Sequence, residues 1–175
     1  MMCRGFLLGG TAGRTTLNGE GLQHEDGHSQ ILASSVPNLL TYDPAFGYEL
    51  VLIVREGIKR MYEDQEDVFY YLTLYNENYR QPSLVETDKD VEDIDSVIVE
   101  GILRGGYCYQ RNLIDSDRPH VHLLASGSIM QQTLFASEIL TKLNINVCLW
   151  SVTSFVELER EALDCERINR LNPSK

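Results

Sequence analysis

The feature that most constrains the fold of this chain is an ordered alternation of strand and helix patterns in its last third. Apolar runs at residues 121–125 and 145–152 are predicted as strands, and each precedes an amphipathic stretch with helical periodicity, at residues 129–143 and 155–171. Short connections of this kind favour parallel strands joined by right-handed crossovers. The pattern therefore predicts an α/β fold.

Two turns in this third end a strand and open a helix. Ser154 and Glu157 have the spacing of a capping box, in which each side chain binds the backbone of the other. The turn Ser126-Gly127-Ser128 could hold a phosphate group at the start of its helix. An ordinary strand-to-helix turn is favoured there, because the chain has neither GxGxxG nor the lysine of a P-loop.

The middle of the chain predicts further strands and one long helix. Residues 36–41 form a short apolar run, and residues 68–75 (VFYYLTLY) are rich in the β-branched and aromatic residues that strands prefer. The dipeptide Asp43-Pro44 predicts the start of a helix that extends to residue 63. Residues 97–110, interrupted by two glycines, predict a β-hairpin.

An acidic run separates the two regular parts of the sequence. Residues 86–95 (ETDKDVEDID) contain six acids and one lysine, which is typical of a solvated linker. We therefore predict one domain at residues 1–85, a linker at residues 86–96 and a second domain at residues 97–175.

Charge and composition exclude several classes of partner. The 175 residues carry a net charge of -11, whereas nucleic acids and anionic membranes attract lysine and arginine. No apolar stretch approaches the roughly 20 residues that cross a bilayer. The four cysteines are scattered without a CxxC pair, so neither a disulfide framework nor a zinc site is predicted. We expect a cytoplasmic protein that binds neither nucleic acid nor membranes.

One polar loop concentrates residues that carry chemistry. Residues 11–29 (TAGRTTLNGEGLQHEDGHS) have no strand or helix periodicity, yet they contain two histidines and three carboxylates. A loop of this length in a compact chain is usually functional or disordered. Three interpretations are open: a metal site, a proton-transfer site based on histidine, or, with the largest weight, a polar surface loop.

The same loop resembles a known enzyme family. GRTTLNGEGLQHEDGHS at residues 13–29 is similar to the homodimeric, bacterial-type pyruvate dehydrogenase (acetyl-transferring), the thiamine-diphosphate-dependent first component of the pyruvate dehydrogenase complex, within the transketolase superfamily. The similarity continues in collinear order through YDPA, FYY, NENY, ASGS, SVTSF and DCER. It implies part of a transketolase-like pyrimidine-binding domain at residues 1–85 and part of a transketolase C-terminal-like domain at residues 97–175.

The resemblance also implies roles for individual residues. It makes Glu20 and His24 the catalytic pair, with His24 as proton donor or electrostatic partner of the substrate and Glu20 tuning it or closing the loop. His28 matches the motif without an assigned role, and no role is assigned to His120 or His122.

The family's cofactors and partners follow from the same resemblance. In the family, the glutamate that activates the cofactor and the Gly-Asp-Gly motif that binds diphosphate and magnesium lie upstream of the segment that matches this chain. No cofactor- or metal-binding residue is assigned here, and this chain alone is expected to bind neither thiamine diphosphate nor magnesium. The implied substrate is pyruvate, and the implied partners are a lipoyl-bearing acyltransferase and, at full length, a second copy.

Two other interpretations are compatible with the sequence. The main interpretation is a part of an enzyme that oxidatively decarboxylates pyruvate, which is expected to be inactive alone. The first alternative is a non-catalytic interaction module. The second is a truncated product that keeps the fold without a function of its own.

Overall fold

The structure is a computed structural model that describes residues 3–10, 27–75, 77–82, 95–113 and 117–173. Within these ranges, two three-stranded sheets are flanked by helices. The predicted α/β fold is confirmed.

The first sheet is parallel throughout. Its strands are β1 (Phe6–Gly9), β2 (Leu39–Tyr42) and β3 (Phe69–Thr73), in the spatial order β1-β3-β2. A short helix, α1 (Ser29–Ser34), precedes β2. The crossover from β2 to β3 contains helix α2 (Gly47–Ile58), which continues as a π-helical turn (Lys59–Glu63).

The second sheet has the order β4-β6-β5, with β5 and β6 parallel and β4 antiparallel at the edge. Its strands and the helices around them are α3 (Ser96–Arg104), β4 (Tyr107–Asn112), β5 (His120–Ala125), α4 (Ile129–Lys142), β6 (Asn146–Ser151) and α5 (Phe155–Leu171). The alternation predicted for the last third of the chain, with its parallel strand pair, is confirmed.

The two sheets share their apolar core. Ile102 of α3 and Tyr107 of β4 are buried in the cluster that contains Leu72 and other residues of the first sheet. Conversely, Phe46, which precedes α2, is buried with Leu149 of β6 and its neighbours. Among the described residues, no helix is long and apolar enough to cross a bilayer.

The predicted hairpin at residues 97–110 is wrong. Residues 96–104 form helix α3, and only Tyr107–Asn112 is a strand. Asp95 begins this helix, because its side chain accepts a hydrogen bond from the backbone N–H of Val97 at 2.9 Å. Gly105 ends it in the left-handed conformation, with φ of 110°. Most of the acidic run, residues 86–94, lies outside the described residues.

The helix predicted from Asp43-Pro44 begins later, although its predicted end at residue 63 is confirmed. Its first residue is Gly47, preceded by Phe46 in an extended conformation. Asp43 does not cap the helix, because its carboxylate is engaged by residues of β3 and the second sheet. Glu49 supplies the cap instead, since it accepts hydrogen bonds from the backbone N–H groups of Ala45 and Phe46.

Candidate functional site

The carboxyl ends of four strands, two from each sheet, meet at one place. Tyr42 and Thr73 end β2 and β3, while Ala125 and Ser151 end β5 and β6. In open parallel sheets, ligands bind outside the carboxyl ends of the strands. This edge is therefore the candidate functional site.

Asp43 joins the strand ends through its carboxylate. One carboxylate oxygen accepts hydrogen bonds from the hydroxyl groups of Thr73, at 2.5 Å, and Tyr75. The other accepts a hydrogen bond from the Ser126 hydroxyl at 2.7 Å. Buried carboxylates need such donors, because they lose the hydration that stabilises their charge.

The backbone of Asp43 extends the same connection. Its N–H donates to the carbonyl of Thr153 at 2.7 Å, and its carbonyl accepts from the N–H of Gly127 at 3.1 Å. Asp43 is only 4% exposed. We call this group, Asp43 with Thr73, Tyr75, Ser126 and the backbone of Thr153 and Gly127, the Asp43 junction.

A cavity of about 340 Å³ lies beside the Asp43 junction. Its polar lining is supplied by Gln30, Ser34, Asp43, Ser126, Ser154 and Glu159. Gly27, which follows residues 11–26 directly in the sequence, also lines it. The described end of the polar loop at residues 11–29, for which the family resemblance predicts catalysis, therefore lines the cavity.

The two predicted catalytic residues, Glu20 and His24, lie outside the described residues. Their predicted roles are therefore retained as a proposal below. His28 is described and exposed, directly before α1. Ser126 and Gly127 of the predicted turn belong to the Asp43 junction, where the Ser126 hydroxyl and the Gly127 N–H both donate to Asp43.

Glu49, which is 0% exposed, forms a second polar connection between the sheets. One carboxylate oxygen caps α2, as described above, and the other accepts hydrogen bonds from the hydroxyl groups of Ser151, at 2.6 Å, and Tyr107, at 2.8 Å. The Tyr107 hydroxyl also contacts the Tyr48 hydroxyl. A residue of the first crossover is thereby bonded to β4 and β6 of the second sheet.

Burial shifts the ionisation of this group. Loss of hydration raises the pKa of Glu49 above its ordinary value, and the hydrogen bonds from Ser151, Tyr107 and the backbone oppose that shift. Burial also raises the pKa values of Tyr48 and Tyr107, so both phenols stay protonated and able to donate.

Sequence reasoning missed the roles of both carboxylates. Asp43 was interpreted as a helix cap, and Glu49 was not singled out. Glu49 did carry a signal, because it is an acid beside Phe46, Leu50 and Ile53 in the apolar stripe of a predicted helix. A charged residue is almost never fully buried unless it is paired, so an acid within an apolar stripe indicates a buried carboxylate with polar partners.

The described lining of the cavity does not fit a diphosphate, and its Asp43 carboxylate is not available to a magnesium ion. Its charged residues are the acids Asp43 and Glu159, with no lysine or arginine. Both oxygens of Asp43 already accept hydrogen bonds from within the Asp43 junction. Negatively charged phosphates bind most strongly where cationic side chains face them, and the described lining of the cavity contains none.

Two family models match the chain in the order of the two sheets. Residues 1–82 match the pyruvate dehydrogenase E1 component middle domain. Residues 105–169 match the transketolase-like C-terminal domain.

Curated relatives match nearly the whole chain. The pyruvate dehydrogenase E1 component of Pseudomonas aeruginosa is 50% identical over 172 residues, 98% of this chain and 18% of its own length. Those of Escherichia coli K12 and Cupriavidus necator are 49% and 46% identical over 97% and 100% of this chain. The chain thus spans about a fifth of the length of these relatives.

Solved structures support the fold. A transketolase from Campylobacter jejuni superposes with a TM-score of 0.58 at 20% identity, covering 89% of this chain and 21% of its own. A transketolase variant from Pichia stipitis gives a TM-score of 0.58 at 16% identity, over 89% of this chain and 20% of its own. At these identities the similarity establishes the transketolase-like fold alone.

Proposed function

Because this chain belongs to the pyruvate dehydrogenase E1 family, we propose that it forms one wall of an active site for the oxidative decarboxylation of pyruvate. In this proposal the acetyl group passes to the lipoyl group of an acyltransferase partner. The rest of the active site comes from the remainder of a full-length, homodimeric enzyme, so the chain alone is inactive.

The observation that carries the proposal is the Asp43 junction. It fixes the carboxyl ends of strands from both sheets against one another, which is where a ligand of an open α/β sheet binds. The adjacent cavity is lined by Gly27, only three residues after His24. The position of Gly27 at this cavity supports a catalytic role for the loop that contains both residues.

His24 and Glu20 are the residues proposed to act. An imidazole holds and releases a proton near neutral pH, so His24 suits donation to the carbonyl oxygen of pyruvate as negative charge develops there. Glu20, four residues before it, is proposed to tune the basicity of His24. Asp43 is proposed to keep the strand ends in place without touching the substrate.

The cofactor is proposed to bind mainly to other parts of the full-length enzyme. Thiamine diphosphate, when bound, supplies the carbanion that attacks pyruvate. The described cavity does not fit its diphosphate, so this chain alone should show no heat of thiamine diphosphate binding by calorimetry with magnesium present. Saturable binding would contradict this division of the site.

A chimeric enzyme tests the proposed function. The 172-residue segment of the Pseudomonas aeruginosa E1 component that aligns with this chain is replaced by the present sequence. We expect pyruvate-dependent turnover, and we expect His24→Ala to lower kcat by about 100-fold or more, the range for a lost general acid. Folding stability, measured by thermal unfolding, should change little.

His28→Ala is the matched control, since it removes a second histidine from the same loop. It should leave turnover near that of the unmodified chimera. Full turnover in the His24→Ala chimera would contradict the proposed role of His24. A folded chimera without turnover would instead favour a non-catalytic interaction module or a functionless product.

A further inference from the structure

Three side chains with metal-binding chemistry cluster on one face of the second sheet, away from the Asp43 junction. His120 and His122 are two residues apart on β5, so both point to the same face. Cys148 lies directly opposite His122 on the neighbouring strand β6. We call these three residues the His-Cys cluster.

The ligand atoms of the His-Cys cluster are already close together. One donor atom from each side chain lies within 4.8 Å of the other two, and Nε2 of His120 is 3.2 Å from Sγ of Cys148. The two imidazole rings stack with centroids 4.8 Å apart. Among the residues that the structure describes, this is the one group of three such side chains with ligand atoms so close.

We propose that the His-Cys cluster binds a divalent transition metal of the zinc class. Two imidazoles and one thiolate are the donor types that select zinc and its neighbours over magnesium or calcium, which prefer oxygen ligands. Binding requires the thiolate, so the Cys148 proton is released to solvent as the metal–sulfur bond forms. This site is independent of the proposed enzyme function.

The spacing of the donors suits tetrahedral coordination. Metal–sulfur and metal–nitrogen bonds of about 2.3 and 2.1 Å place tetrahedral donors about 3.5 Å apart. The His120–Cys148 pair is near that value, and rotation of the His122 side chain has to close the remaining gap of about 1 Å. Three protein ligands leave a fourth position for water.

Trp150 determines which atom of His122 is available. Its indole N–H donates to Nδ1 of His122 at 2.9 Å, so Nδ1 holds a lone pair. The metal ion takes the place of that indole hydrogen and binds Nδ1, while the ring proton stays on Nε2. Metal binding therefore releases Trp150 from its hydrogen bond.

The second sheet fixes the position of Cys148, and the two histidines lie at its surface. Cys148 lies on the central strand and is only 2% exposed, whereas the two histidines in front of it are exposed. The next residue along the strand, Leu149, points to the opposite face and is part of the apolar core. The thiol is thus fixed by the fold, while rotation of the exposed histidine side chains can bring their nitrogens onto an ion that arrives from solvent.

Cobalt(II) is the first probe, added to the full 175-residue chain without an affinity tag. Coordination by Cys148 gives a thiolate-to-cobalt charge-transfer band, and zinc should abolish this band by competition. Zinc alone should change the fluorescence of Trp150, which is the only tryptophan of the chain. Both signals should saturate at one metal ion per chain.

Three variants separate the cluster from other ligands. Cys148→Ser should abolish the charge-transfer band, while Cys108→Ser, which removes a thiol from the neighbouring strand β4, should leave it intact. Loss of a residue that only hydrogen-bonds to a metal ligand weakens metal binding by roughly 10–100-fold. Because His120 is proposed to bind the metal directly, His120→Gln should weaken zinc binding by more than that. His120 is exposed, so this variant tests the site even if Cys148→Ser fails to fold.

Two results would overturn the proposal. One is the absence of a charge-transfer band and of a zinc-dependent fluorescence change in the folded chain. The other is a band that survives Cys148→Ser or a zinc affinity unaffected by His120→Gln, which would mean that other residues hold the metal.

Discussion

At the residue scale, Asp43 and Glu49 connect two sheets whose strands are far apart in the sequence. Asp43 binds Thr73 and Ser126, which are 30 and 83 residues away, and Glu49 binds Ser151 at a distance of 102 residues. A buried donor without its acceptor costs about 1–3 kcal/mol. These two carboxylates therefore make the relative position of the sheets specific, beyond the contribution of apolar packing.

Gly127 is required at the Asp43 junction, and Gly127→Ala tests this. Its φ of 52° is left-handed, and an added Cβ would lie 2.6 Å from Oδ1 of Asp43 and would also overlap the Tyr75 hydroxyl. The backbone strain alone costs about 1–3 kcal/mol, and the overlap adds to it. Urea denaturation should show this loss.

Gly10→Ala is the control for that experiment. Among the described residues, no atom other than those of its chain neighbours lies within 4 Å of a Cβ built at Gly10, so the same substitution should change the unfolding free energy little. Equal stability of the Gly127→Ala variant and the unmodified chain would mean that the junction does not exclude a side chain at this position.

Glu49→Gln tests the raised pKa of the buried carboxyl. The amide nitrogen of Gln is a donor only and cannot accept the two hydrogen bonds that one Glu49 oxygen accepts, whereas a protonated carboxyl oxygen keeps acceptor capacity, so we expect a loss of about 1–3 kcal/mol. Because the folded-state pKa of Glu49 is raised, its favourable contribution is complete below the unfolded pKa and is lost as pH rises through the folded pKa. The loss caused by Gln should therefore be largest near pH 4 and smaller near pH 7.

The measurement is the difference in unfolding free energy between the two proteins across that pH range. Glu157, whose pKa burial also raises, is present in both proteins and cancels in the difference. A difference that stays constant with pH would contradict a raised pKa for Glu49.

At the element scale, periodicity predicted long amphipathic helices well and a short one badly. Helix α5 has the predicted bounds, because its 17 residues leave the apolar pattern unambiguous. Helix α3 has nine residues, four of them β-branched, and such residues favour strands locally. Burial of Ile102 against the first sheet stabilises the helix, and this contact cannot be predicted from residues 97–110 alone.

Helix α3 should depend on its N-terminal cap. Asp95→Ala removes the acceptor for the N–H of Val97, and the expected cost is about 1 kcal/mol of unfolding free energy. Asp95→Asn keeps a capping oxygen and should cost much less. Equal losses in the two variants, measured by urea denaturation, would show that the charge of Asp95 matters more than its cap.

At the scale of the whole molecule, the sequence predicted the α/β class and the family, but the construction of the candidate site could not be predicted. Asp43 and the Ser126-Gly127-Ser128 turn were interpreted as local features, a helix cap and an ordinary turn. Their shared function arises only when the carboxyl ends of both sheets meet. Periodicity and capping rules describe neighbours in sequence, so they do not predict contacts across 83 residues.

The shared core and the two carboxylates predict that both sheets unfold together, although the family models divide the chain. Ile102 and Tyr107 are buried with the first sheet, and Phe46 is buried with the second. Separating the sheets would expose these side chains and leave the donors around Asp43 and Glu49 unsatisfied.

Hydrogen exchange should therefore give amides of the central strands β3 and β6 the same free energy of opening, within about 1 kcal/mol. Glu49→Ala should lower both free energies of opening together, because the Glu49 carboxylate accepts hydrogen bonds from the crossover of the first sheet and from two strands of the second. A lower free energy of opening in β6 alone would mean that the second sheet opens while the first stays folded. The contact between the two sheets would then be weaker than its hydrogen bonds indicate.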